Sequence, residues 1–197
     1  RQVVSYTEMR TPFSLEFCET SGRISITDPQ AACWNGDCFV VGFQSELQFL
    51  VFGKGPEAWT FATLTKSTGY RTTLFSPDSE TLDIASTKGC MTKHLSTCDI
   101  PQDVMIDDRT AIVLFFHDHD LEPAILKTAL ASPARYIGAQ GSRRTAENRT
   151  AYPRENGVAE NQLEKLIGPI GLIPSTRDAQ TLAVSVFAEV LQGASGK

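Results

Sequence analysis

Two apolar runs, Leu47–Phe52 and Ala111–Phe116, organise the hydrophobic pattern of this chain. Each has the length of a strand and lacks the strict alternation of a sheet with one wet face. Both therefore predict strands, and Ala111–Phe116, apolar throughout, predicts one covered by helices on both faces, as in a parallel sheet. Behind the first come a glycine turn, an amphipathic stretch over Glu57–Thr68, Gly69 and a β-prone run over Arg71–Phe75, which together read as a βαβ unit. The second run predicts a central strand. After it the pattern predicts a helix over Pro123–Ala131, a short strand over Arg135–Ile137, a helical pair over Thr145–Glu155 and Glu160–Ile167, and a last helix over Asp178–Gln192. In that last helix Ala179, Leu182, Ala183, Val186, Phe187 and Val190 fall at helical spacing, with Ser175 or Thr176 available to cap its start. Ser79–Arg109 is polar and weakly periodic and reads as a loop with short elements.

The front of the chain looks different. Short β-prone runs, Arg23–Thr27 and Cys38–Phe43, are broken by the turn material Ser21-Gly22, Asp28-Pro29 and Asn35-Gly36-Asp37. The expected fold is α/β: a Rossmann-like open, mainly parallel sheet with helices on both faces over residues 47–197, preceded by a short β-rich segment over residues 1–46.

Charge and cysteine content narrow the partners. With 18 Lys and Arg against 23 Asp and Glu, the formal net charge of -5 argues against gripping a nucleic-acid backbone, which is held by neutralising cations. The apolar runs fall far short of the roughly 20 residues that cross a bilayer, and no basic-then-apolar leader opens the chain, so a cytoplasmic protein without a membrane partner is expected. The five cysteines, Cys18, Cys33, Cys38, Cys90 and Cys98, are odd in number and scattered. They are expected to be reduced, and their spacing does not make a four-ligand zinc set.

Four segments carry candidate chemistry. Gly53-Lys54-Gly55-Pro56-Glu57-Ala58 leaves a predicted strand and opens a predicted helix, the setting in which Gly-x-Gly-x-x-Ala becomes informative. Gly53 allows the tight turn, Gly55 lets backbone approach a ligand, Ala58 lets the helix pack closely, and the helix start offers N–H groups to an anion, although Glu57 would repel a phosphate. Asp78 follows the second strand, where it either hydrogen-bonds a ribose hydroxyl or merely starts a turn. His117-Asp118-His119-Asp120 begins where the central strand ends. It reads as a ligand-lining string, as a two-histidine metal site, or as a helix cap by Asp120 with locally packed histidines. Gly138-Ala139-Gln140-Gly141-Ser142-Arg143-Arg144 again joins a strand to a helix start, now with two guanidiniums suited to bidentate phosphate binding; the plainer reading is a surface Arg pair serving Glu147. No Gly-x-Ser-x-Gly elbow and no Walker A lysine motif occurs, which argues against ATP hydrolysis.

Taken together, these loops resemble the carboxyl-terminal Rossmann domain of the xanthine dehydrogenase accessory family, the XdhC/CoxI-type proteins. The likeness runs from about Leu47 to Leu191 and rests on His117-Asp118-His119, Ser132-Pro133-Ala134-Arg135-Tyr136-Ile137-Gly138-Ala139, Gly141-Ser142-Arg143-Arg144-Thr145 and Pro169-Ile170-Gly171-Leu172, in that order. The resemblance implies a cytosolic helper, more a chaperone than a catalyst. Such a helper binds the molybdenum cofactor (molybdopterin) and assists its sulfuration and insertion into a molybdenum hydroxylase such as xanthine dehydrogenase, with a cysteine desulfurase as a further partner. A homodimer is the default assembly. The expected cofactor-binding set is Gly53, Gly55, Pro56, Glu57, Ala58, Asp78, His117, Asp118, His119, Gly138, Gly141, Ser142, Arg143 and Arg144.

The chain departs from the family at Lys54, where a small residue is common, at Phe116, where Thr is usual, and at Gln140, where an apolar residue is usual. The family also carries a separate amino-terminal domain, whereas here about 46 residues lead into the Rossmann portion, with Cys33-Trp34-Asn35-Gly36 similar to the cysteine-containing end of that domain. The alternative from another class is an NAD(P)-dependent oxidoreductase that uses Gly53, Gly55, Ala58 and Asp78 for the dinucleotide and His117 as acid or base.

Overall fold

The computed structural model describes residues 2–116, 121–141 and 149–195, and the chain divides into two compact units, Arg1–Glu46 and Leu47–Lys197. The first unit opens with helix α1 (Gln2–Glu8) and continues as strands β1 (Phe13–Cys18), β2 (Arg23–Thr27), β3 (Cys33–Asn35) and β4 (Cys38–Phe43). These form an antiparallel sheet in the order β2-β1-β4-β3. Period-two alternation places Phe13, Leu15 and Phe17 on one face of β1, opposite Phe43, Val41 and Phe39 of β4. Phe13 stacks on Phe43 with ring centroids 5.1 Å apart.

The expectation of five reduced cysteines fails here: Cys18 and Cys38 face each other in the β1–β4 register and are joined as a disulfide, while Cys33, Cys90 and Cys98 are free. Spacing along the chain gave no hint of the pairing, because a 20-residue separation says nothing about register.

The second unit contains β5 (Gln48–Gly53), α2 (Pro56–Ser67), β6 (Arg71–Ser76), α3 (Ser79–Thr87), β7 (Met91–His94), β8 (Thr110–Phe115), α4 (Glu122–Ala131), β9 (Tyr136–Ala139), α5 (Ala151–Glu155), α6 (Glu160–Leu163), β10 (Leu166–Ile167) and α7 (Ala179–Ser195). The six strands form a wholly parallel sheet in the order β10-β9-β8-β5-β6-β7, which is the Rossmann arrangement. The apolar runs are its two central strands. Along β5, Phe49 and Val51 enter a core with Phe61 of α2 and Val186 of α7, while Leu50 and Phe52 enter a second core with Ile125 and Leu130 of α4. Both faces are therefore dry, which is why neither run alternates.

The short elements expected in the polar span Ser79–Arg109 are a nine-residue helix and an edge strand whose side chains remain partly exposed. Two other local readings differ from the structure. The predicted helix over Glu160–Ile167 ends at Leu163, and Leu166–Ile167 pairs with Ile137 and Gly138 as a sixth strand; two residues are too few to show a period. The last helix is capped by Asp178, whose carboxylate accepts from the Thr181 amide at 2.7 Å, and not by Ser175 or Thr176.

Gly53 ends β5 directly opposite Phe115, and a Cβ there would lie 2.6 Å from the Phe115 carbonyl oxygen. Gly53→Ala is expected to force β5 and β8 apart at this point and to cost about 1–3 kcal/mol in urea unfolding, since overpacking at a backbone contact has no flexible neighbour to absorb it.

Candidate functional site

After β5 the chain builds outward through β6 and β7, then returns to the centre and builds the other way through β8, β9 and β10. The carboxyl ends of β5 and β8 thus border a topological switch point, where connections leave in opposite directions and open a crevice. Of the four candidate segments, the turn after β5 flanks it, the string that follows β8 in the sequence lies outside the described residues, and the segment after β9 is described as far as Gly141. The fourth, Asp78, follows β6 one strand away. His117, Asp118 and His119, together with Ser142, Arg143 and Arg144, lie outside the described residues.

The first glycine turn is largely occupied with itself. The Lys54 amide donates to the Phe115 carbonyl at 3.4 Å, and the Gly55 amide donates to Thr81 Oγ1 at 2.9 Å. Thr81 in turn gives its hydroxyl to Asp78 Oδ2 at 2.5 Å, and its amide donates to the same oxygen at 2.9 Å. Asp78 is thus the N-cap of α3, which is the turn reading of this residue. The Thr81 hydroxyl and amide hold its carboxyl below the ordinary aspartate range, and nearby Lys54 adds to the effect. Pro56 occupies the start of α2, where its missing N–H costs nothing, and Ala58 is fully buried.

The second turn is held by a buried ion pair that sequence reasoning missed. Arg149 donates from Nε to Glu122 Oε2 at 2.8 Å and from Nη2 to Glu122 Oε1 at 3.0 Å, with side chains only 4% and 2% exposed. The same guanidinium donates to the carbonyls of Ala139 and Gln140. It thereby ties the start of α4 to the end of β9. Nothing in the sequence distinguishes Arg149 from its neighbours Arg143 and Arg144. Gly138, by contrast, is interior: a Cβ there would lie 2.6 Å from the Tyr136 ring, so its smallness serves packing within the strand.

Beyond the end of β9 lies a cleft of about 720 Å³, lined by Gln140 and Gly141 on one side and by Pro169–Gly171, Ile173–Thr176 and Leu182 on the other. Small-molecule sites run to roughly 300–1,000 Å³. Its far wall is pinned to α7. The Tyr136 phenol and the Gly171 amide donate to the same Glu189 oxygen, at 2.8 and 2.7 Å, and the Ile173 amide donates to Ser185 Oγ at 2.7 Å. Burial, followed by the Glu189 charge, pushes the Tyr136 phenol far above its usual range, so it stays a hydrogen-bond donor. Ser175 holds a left-handed backbone at φ 58°, a conformation that a non-glycine residue keeps only where its surroundings demand it. Gln140 Oε1 is buried with no hydrogen-bond partner among the described residues. Of this wall only Pro169–Gly171 was legible in the sequence, as part of the family string Pro169-Ile170-Gly171-Leu172, because the wall is held in place by contacts with α7.

Leu47–Lys197 is a Rossmann-type domain with a cleft beside its second glycine turn. The Rossmann-domain model of the XdhC family matches residues 49–190, and the chain belongs to that family. It is 30% identical over 95% of its length to the molybdenum cofactor insertion chaperone PaoD of Escherichia coli K12, of which it covers 53%. A shorter stretch, 34% of this chain and 12% of the other, is 34% identical to the uncharacterized protein YqeB of the same organism. In fold it resembles a Bacillus halodurans protein described as a xanthine dehydrogenase, with a TM-score of 0.71 at 17% identity over 98% of this chain and 63% of that one. The chain thus spans about half the length of PaoD.

Two outcomes test this geometry. Arg149→Met leaves the Glu122 carboxylate buried without its guanidinium and is expected to cost about 3–5 kcal/mol in denaturant unfolding, whereas Arg149→Met combined with Glu122→Leu recovers most of the loss. Because folding lowers the pKa of Asp78, its contribution is fully present above the unfolded value of about 3.9 and fades as pH falls through the folded one. Asp78→Ala should therefore lower the thermal midpoint at pH 7, and its gap from wild type should close in acid.

Proposed function

We propose that this protein binds the molybdenum cofactor in the cleft beside Gln140 and Gly141 and assists its sulfuration and insertion into a molybdenum hydroxylase of the xanthine dehydrogenase type. The observation that carries the reading is a cleft of ligand size lined by Gln140 and Gly141, with Gln140 Oε1 buried and without a hydrogen-bond partner among the described residues, immediately before Ser142-Arg143-Arg144 in the sequence. A pterin edge presents N–H donors suited to that oxygen, and the cofactor phosphate suits the two guanidiniums. The cofactor itself supplies the redox-active molybdenum centre of the client enzyme. This chain's part is to orient and shield: Gln140 accepts from the pterin edge, the Arg143 and Arg144 side chains hold the phosphate, and the Pro169–Thr176 wall limits water. His117, Asp118 and His119, which follow β8 in the sequence, belong to the same proposed site. A cytoplasmic location, a cysteine desulfurase as sulfur donor and a homodimeric assembly belong to the same proposal. Among the described residues no helix is long and apolar enough to cross a membrane.

The rival NAD(P) oxidoreductase finds no supporting observation. The Gly55 amide and the Asp78 carboxylate, which a dinucleotide would need, are both engaged with Thr81.

Identification of small molecules released from the natively purified protein, followed by molybdopterin titration, tests the reading. Arg143→Ala with Arg144→Ala is expected to weaken binding by about 100-fold or more, two charge-assisted contacts being lost, and Gln140→Leu by about tenfold. Full affinity in the double variant overturns the placement.

A further inference from the structure

The first unit holds a cluster that the cofactor reading does not use. Glu16 and Cys18 are two residues apart on β1 and project from the same face, and Cys38 stands directly opposite Cys18 on β4. A Glu16 carboxylate oxygen and the two sulfurs lie within 4.8 Å of one another. All three side chains are half-buried, so solvent reaches them. Ser25, the register partner of Glu16 on β2, donates its hydroxyl to Glu16 Oε2 at 3.2 Å and orients the carboxylate. Across the other edge Glu16 faces Val40, which is buried, while Arg23, the register partner of Cys18 on β2, is exposed. The backbone ladder from Phe13–Phe43 to Cys18–Cys38 brings the three residues together from the two strands. A cross-link alone has no use for an oriented carboxylate beside it.

We propose that Glu16, Cys18 and Cys38 form a redox-gated site for a thiophilic divalent cation of the zinc type, closed by the disulfide and opened by its reduction. In the opening step a dithiol reductant supplies two electrons to the Cys18–Cys38 bond. That bond breaks, the reductant becomes its own disulfide, and its two thiol protons end on the Cys18 and Cys38 sulfurs. Metal entry then forms two metal–sulfur bonds and one bond to a Glu16 oxygen and releases the two thiol protons to solvent, with water in the fourth position. Two thiolates with one carboxylate favour zinc over magnesium or calcium, which prefer oxygen alone. Reducing surroundings would keep the site open and oxidation would close it, independently of whether a cofactor occupies the cleft of the second unit.

Titration of the full chain with cobalt(II), and then with zinc as competitor, reports the site directly. The reduced protein is expected to bind one equivalent of cobalt with a sulfur-to-cobalt charge-transfer band that zinc removes, and the oxidised protein is expected to show none. Cys18→Ser with Cys38→Ser abolishes the band, Glu16→Gln weakens binding by about 10- to 100-fold, and Cys33→Ser with Cys98→Ser leaves it intact. A readout that needs no variant is alkylation followed by peptide mass spectrometry, in which zinc protects Cys18 and Cys38 while Cys33 still reacts. Absence of the band in the reduced wild-type chain, its survival in the Cys18→Ser, Cys38→Ser chain, indifference to Glu16→Gln, or protection at Cys33 or Cys98 instead would each overturn the proposal.

Discussion

The pairing of β5 with β8 at the centre of the parallel sheet is the contact on which the second unit depends. Both strands are buried along their whole length, and they close to the point where Gly53 meets Phe115 without room for a Cβ. This closeness lets Phe115 accept the Lys54 amide and so sets the direction of the first glycine turn. It also forces the chain to leave the centre twice, once toward β7 and once toward β10. The crevice at the carboxyl edge follows from that reversal.

At the carboxyl edge of the sheet many polar groups are spent on the fold. The first turn and Asp78 are joined through Thr81 in a closed set of hydrogen bonds. The second turn is braced from behind by the Glu122–Arg149 pair, which satisfies the carbonyls of Ala139 and Gln140, and Gln140 and Gly141 line a cleft beside it. The glycine fingerprint of the first turn thus serves packing and a closed set of hydrogen bonds.

Much of the fold was legible because a continuous apolar run of strand length must be kept from water on both faces. Phe49–Phe52 and Ala111–Phe116 needed that cover, and α2, α4 and α7 supply it. Candidate loops were found as far as glycine, histidine and arginine mark strand ends. Less legible were the partners of single polar residues. Asp78 looked equally suited to a ribose and to a cap, and only the position of Thr81 one turn further on decides for the cap. Arg149 and Glu122 are 27 positions apart, and their pairing is a product of helix placement.

The sequence by itself determined the class of fold, its central strands and the family, because periodicity and ordered short motifs are local properties that survive without coordinates. The tertiary structure alone decided which carboxylate meets which cation, that Cys18 and Cys38 meet at all, and that Pro169–Thr176 forms a wall of the cleft. The physical reason is range: hydrophobic burial acts on the sum of a segment's side chains, whereas a hydrogen bond or a disulfide depends on ångström-scale register between segments distant in the chain.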